Sequence, residues 1–193
     1  MFFILDLGLA SFDSILILTS ILMFGLPAVH AYTTEWFSNY FYNIFPYITP
    51  VVYPVGMIAQ TGSVYLTMCV TVERYVAVCL PLRARVICTF GRARAYVATI
   101  GMFALLYNLP RFWEVTHVTK NIREHDINTT WNYNITLVEP TDLRNDYYYI
   151  NVYVNGLYLV IMYIVPFGCL AVFNLLIYLE VSSTIYYSRS TFA

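Results

Sequence analysis

Charge is scarce in this sequence. Asp, Glu, Lys and Arg make up 11% of its 193 residues, where about 25% is usual in soluble domains. Hydrophobic residues reach 60%, so the few charges could not cover the surface of a soluble fold of this size. A net charge of −1 gives no electrostatic footprint for nucleic acid, and none is expected as a partner. The four cysteines, Cys69, Cys79, Cys88 and Cys169, form neither a CxxC nor a Cys/His cluster, so no metal-ligand spacing is present. HExxH and GxSxG are absent, and His30, His117 and His125 lie scattered in expected loops. No enzyme is read here and no catalytic residue is named. The apolar start lacks a basic leader and runs too long for a secretory signal peptide. No internal repeat or low-complexity tract occurs.

What is present is a set of long uncharged runs. A helix crossing about 30 Å of hydrocarbon needs roughly 20 mostly apolar residues. The pattern predicts an all-α membrane protein with four spanning helices, over 2–26, 51–79, 93–110 and 147–180. The loop of residues 80–94 carries Arg83, Arg85, Arg92 and Arg94 and no acid, which places it inside by the positive-inside rule. The inner loop proper is expected over 80–92. Residues 27–50 have no Lys or Arg and are expected outside. Residues 111–146 hold four basic and six acidic side chains and fall outside by alternation. The sequons at Asn128 and Asn134 agree with that side. Trp36, Phe37, Trp113 and Tyr147 to Tyr149 stand where aromatic rings settle at membrane interfaces.

Polar groups within the spans are costly. The first span contains 15 Leu, Ile and Phe residues between Phe2 and Leu26, which contribute roughly −5 to −9 kcal/mol, while a central Asp costs about 2.5 to 3.5. Asp6 and Asp13 are seven apart, so they share a face that should point into a bundle. The second span has a stripe of Gly56, Ala59, Ser63, Thr67, Val70 and Arg74, spaced as one helix face. It reads as a helix enclosed by others. Glu73 and Arg74 end it on the inner side, where a charged end can snorkel to water.

Read with their neighbours, these residues acquire a pattern. Ser63 to Leu82, with Glu73-Arg74-Tyr75 and Pro81 six residues after the tyrosine, resembles the third helix and inner loop of rhodopsin-like (class A) G-protein-coupled receptors. Leu9-Ala10-Ser11-Phe12-Asp13 is similar to that family's second-helix motif. Pro110 and Pro166 fit its fourth and fifth helices, so the chain is read as helices two to five. Pro50-Val-Val-Tyr-Pro54, Met57-Ile-Ala-Gln60, Leu66–Leu80 and Asn108-Leu-Pro-Arg-Phe-Trp-Glu114 resemble invertebrate FMRFamide-type neuropeptide receptors.

The resemblance implies a multi-pass plasma-membrane receptor that passes binding of an extracellular neuropeptide to a heterotrimeric G protein. It implies that Glu73, Arg74, Tyr75, Pro81 and Leu82 serve G-protein coupling and the inactive-state lock. Asp13 and Ser63 would hold an allosteric sodium ion, the one cofactor implied. Val64, Pro166 and Asn174 would form the activation switch, with Asn174 standing where a tyrosine is common. Gly56 and Gln60 would face the ligand. Gly56 also stands where amine receptors carry an aspartate, which argues against an amine ligand. The usual outer cysteine of the third helix is replaced by Thr49, and residues 111–146 lack its partner. By the same resemblance helices one, six and seven are missing, so these 193 residues are expected not to signal by themselves. The competing reading is a small ion transporter or channel subunit using Asp6 and Asp13.

Overall fold

The computed structural model describes residues 2–30, 32, 40–87, 89–126 and 129–191. Its helices are α1 (Phe2–Ser20), α2 (Leu26–His30), α3 (Phe45–Cys79), α4 (Pro81–Ile87), α5 (Phe90–Asn108), α6 (Asp142–Asn145) and α7 (Val165–Thr191). Strands β1 (Val115–Asp126) and β2 (Thr129–Pro140) form one antiparallel pair. Among the described residues, three helical stretches, Phe3–Val29, Tyr40–Cys79 and Tyr149–Ile185, are long and apolar enough to cross a membrane. The fourth expected span, α5, falls short of that measure. Arg92 and Arg94 occupy its first turns, which leaves Ala95 to Asn108 as its uncharged run.

α3 is the central rod, packing against α1, α5 and α7. Leu5, Leu66, Val70 and Ala93 form the core, with Ile4, Leu9, Phe12, Cys69, Val97 and Ile100 around them. The enclosed face of α3 runs through Ala59, Gly62, Leu66, Val70 and Glu73. The expected small-residue stripe is therefore displaced by about one position. Ala59 and Val70 are buried, but Thr67 and Arg74 are exposed. The core selects Leu66 over its hydroxylated neighbour Thr67 because burying apolar area is the larger gain.

The membrane helices extend further outward than the charge pattern suggests. α3 begins at Phe45 and carries Pro50 and Pro54 inside it, although residues 27–50 were expected to be loop. Prolines persist in such helices because neighbouring helices and side-chain hydroxyls satisfy the carbonyls they leave free.

Three π-helical turns, Ile21–Gly25, Tyr40–Ile44 and Val160–Ile164, each stop two residues before a proline: Pro27, Pro46 and Pro166. A proline ring clashes with the carbonyl four residues back, and widening the turn to i→i−5 bonding relieves that clash. The Leu26 N–H accordingly donates to Ile21 O, and the Val165 N–H to Val160 O. Another π-helical stretch, Tyr149–Leu157, has no proline behind it. At its Gly156, an added Cβ would come within 3.2 Å of Asn151 O.

The outer loop 111–146 adds a feature that the all-α expectation did not contain. It folds as a hairpin paired from Val115↔Pro140 to Asp126↔Thr129. Alternating β-branched residues such as Thr116, Val118, Thr136 and Val138 suit a pleated surface. Thr119 and Thr136 face each other with hydroxyls 3.2 Å apart, and Lys120 pairs with Glu139.

Candidate functional site

Polar side chains gather at three depths of the bundle. At mid-depth α1 and α3 approach closely at Gly62, where an added Cβ would lie 2.5 Å from the Phe12 ring. That approach brings the next pair together. The Ser63 hydroxyl donates to Asp13 Oδ1 at 2.5 Å. Asp13 and Ser63, picked out separately in sequence, thus meet across two helices. Asp6 does not join them. It is exposed, although a face shared with Asp13 and turned into the bundle was expected. A straight helix drifts about 20° per seven residues, and the adjacent Leu5, fully buried, takes the inward place instead.

Val64 and Pro166 line one pocket of about 290 Å³ between α3 and the last helix, with Gln60, Ser63 and Met162. Gly56 and Gln60 line another, of about 190 Å³, between α1 and α3. At Gly56 an added Cβ would stand 3.0 Å from Thr19 Oγ1, so the glycine also permits that crossing. Asn174 is exposed on α7.

At the inner end Glu73 is 4% exposed, and neither of its carboxylate oxygens has a hydrogen-bond partner among the described residues. Arg74 is exposed. The expected inactive-state contact between them is not formed here. Successive helical residues do not face each other, so Glu73 follows Val70 into the core while Arg74 turns outward. Tyr75 packs on Phe173 of α7, with ring centroids 5.1 Å apart. Pro81 and Leu82 open the short α4, and Leu82 is 85% exposed.

The most elaborate arrangement is at the outer end, where sequence reasoning named no site. Glu114 is fully buried and Arg111 is 3% exposed. Arg111 Nη1 lies 3.5 Å from Glu114 Oε1, and Arg144 Nη1 lies 3.0 Å from Oε2. Tyr149 donates its hydroxyl to Oε1 at 2.7 Å, and Tyr53 donates to Oε2 at 3.1 Å. Arg111 donates to Tyr53 Oη at 2.9 Å and to Asn108 Oδ1 at 3.1 Å. Asn108 in turn donates to Thr61 Oγ1 at 2.9 Å. The Arg111 guanidinium also lies over the Tyr153 and Tyr158 rings, at 5.4 and 5.5 Å. Burial works against its charge, but Tyr53, Glu114 and Tyr153 outweigh that and hold its pKa above the ordinary arginine value. The signal in sequence was an opposite-charge pair three residues apart, directly after an uncharged run that already contains Asn108. Counting Arg111 and Glu114 as loop charges concealed it.

Membrane-length helices around a central α3, with an acid–Arg–Tyr triplet near one end of it, define a multi-helix membrane protein. The sequence matches the 7 transmembrane receptor (rhodopsin family) pattern over residues 2–191, and the chain belongs to that family. It is a multi-pass plasma-membrane protein of a receptor family rather than an enzyme family.

Among its relatives, the FMRFamide receptor of Drosophila melanogaster is 49% identical over 174 residues, which is 90% of this chain and 30% of that receptor. The FMRFamide peptide receptor frpr-18 of Caenorhabditis elegans is 34% identical over 168 residues, 86% of this chain and 36% of that protein. The Drosophila sex peptide receptor is 32% identical over 143 residues, 71% of this chain and 30% of its own length. The chain thus spans about a third of the length of these relatives. An ion transporter built on Asp6 and Asp13 finds no support, given the family and the exposure of Asp6.

Proposed function

We propose that the receptor formed with these residues binds an FMRFamide-like neuropeptide outside the cell and signals to a heterotrimeric G protein inside. The observation that carries this reading is the 49% identity, over 90% of the chain, to a protein named FMRFamide receptor. The ligand shifts an equilibrium between two arrangements of the bundle. Arg74 is the contact offered to the G protein, and its exposure at the inner foot of α3 supports that role. Pro81 and Leu82, exposed at the start of α4, extend the same docking surface. Glu73 is the partner Arg74 would take in the closed arrangement, and Tyr75 packs on Phe173 of α7 beside it. Val64, Pro166 and Asn174 couple the outer pocket to that end, and Gly56 and Gln60 face the peptide.

An allosteric sodium ion belongs to the same proposal. Asp13 and Ser63 offer a carboxylate and a hydroxyl already 2.5 Å apart, and such oxygen donors suit a hard cation in kind. When bound, the ion neutralises the Asp13 charge and favours one arrangement of the helices around it. Asn134, exposed on β2, and Asn128, which lies outside the described residues, are the proposed glycan acceptors.

The test uses the full-length receptor in cells challenged with FMRFamide. Arg74→Ala is expected to abolish peptide-stimulated nucleotide exchange while leaving surface expression intact. Exchange that persists in this variant would remove Arg74 from the role, and a wild type silent to FMRFamide-like peptides would remove the ligand class.

A further inference from the structure

The outer hairpin is held by neither of the cysteines that the receptor family uses at this place, since Thr49 stands at one position and residues 111–146 contain none. Yet its base is closed tightly. The Thr141 N–H donates to Glu114 O at 3.0 Å, and the Thr141 hydroxyl donates to Trp113 O and Glu114 O at 2.5 and 3.1 Å. Glu114 is therefore the last residue before the hairpin, bonded through its backbone to the first residue after it.

Its side chain points the other way, into the helices. It accepts from Tyr53 on α3, from Arg144 on α6 and from Tyr149 at the start of the last membrane helix. Both carboxylate oxygens are satisfied, and the charge faces two arginines. One buried residue thus ties the closed base of the hairpin to three separate helical segments. Charge-assisted hydrogen bonds of this kind are shorter and stronger than neutral ones, and a fully connected buried network selects a single geometry. Along the hairpin itself, contact with α3 includes the His117 ring 4.8 Å from Tyr47.

We propose that Glu114 is a noncovalent anchor that takes the place of a cross-link, fixing the outer hairpin against α3 and the head of the last helix. Glu114 is a positioning residue, and this role does not depend on which ligand the receptor binds.

The experiment measures electron–electron distances between nitroxide labels in the full-length receptor. One pair joins the exposed hairpin residue Thr119 to Val51 on the exposed side of α3. A second pair joins Val51 to Leu106 on α5 and reports the helices alone. Wild type should give one narrow distance for each pair. Glu114→Ala should lose the narrow hairpin distance and keep the helix distance. Lys120→Ala, which removes an exposed ion pair within the hairpin, should change neither. If Glu114→Ala does not fold, Tyr149→Phe combined with Thr141→Val removes donors around the same carboxylate and carbonyl and should broaden only the hairpin distance. A hairpin distance that stays narrow in every folded variant would overturn the anchor. So would broadening of both pairs together, because Glu114 would then support the bundle as a whole.

Discussion

At Gly62 an added methyl would lie 2.5 Å from the Phe12 ring, whereas at Gly91 nothing stands within 4 Å. Both glycines sit in helices, so the same substitution should act in opposite directions. Gly62→Ala overpacks the α1–α3 contact and should destabilise by about 1–3 kcal/mol. Gly91→Ala improves helix propensity and should stabilise by about 0.5–1 kcal/mol. Thermal unfolding of the purified receptor checks both, and equal shifts would rule out the packing argument. Asp13 and Ser63 were legible in the sequence because polar atoms within apolar runs demand an explanation. Gly62 was not, since a glycine's importance here depends on which ring happens to lie opposite it.

At the scale of the helix, the prolines produce a second rule. In an i→i−5 turn the N–H missing from Pro27 and Pro166 orphans the carbonyls of Leu22 and Ile161. Each of these carbonyls accepts a tyrosine hydroxyl from another element: Tyr40 to Leu22 O at 2.7 Å, and Tyr65 to Ile161 O at 3.0 Å. Tyr65→Phe should leave Ile161 O unsatisfied at a cost of about 1–3 kcal/mol. The check is faster amide exchange over 160–165 than in wild type; unaltered exchange would show that the hydroxyl does not support the turn. Pro166→Ala should let the turn revert to regular α bonding. That would rotate the preceding residues by about 100°, one residue's worth of helix, and carry Tyr149 away from Glu114. The prolines, Pro166 among them, could be read in advance. The tyrosine partners could not, because they come from positions 18 and 96 residues away in sequence.

For the molecule as a whole, loss of Glu114 should cost stability while the folded helices keep their spacing. Removing one member of a buried charge network leaves the others uncompensated, typically at about 3–5 kcal/mol. Glu114→Ala should therefore lower the unfolding midpoint far more than loss of the exposed Lys120–Glu139 pair, since exposed pairs contribute about 0–1 kcal/mol. Orientation is tested separately. Cysteines placed at 74 and 134 should react with a membrane-impermeant thiol reagent from opposite sides of the bilayer. Labelling of both from one side would invalidate the alternating topology, and with it the roles given to the inner triplet and the outer hairpin.

The sequence by itself determined that this chain lives in a membrane, because burial in lipid is decided residue by residue by transfer free energy. It also marked Asp13, Ser63 and the Glu73-Arg74-Tyr75 triplet. Only the tertiary structure decided which face of α3 is enclosed, that the outer loop pairs as a hairpin, and that Arg111 and Glu114 are buried rather than solvated. Those outcomes depend on partners distant in the chain. A charge beside an apolar run looks alike whether it meets water or three hydrogen-bond donors, until the fold brings the donors to it.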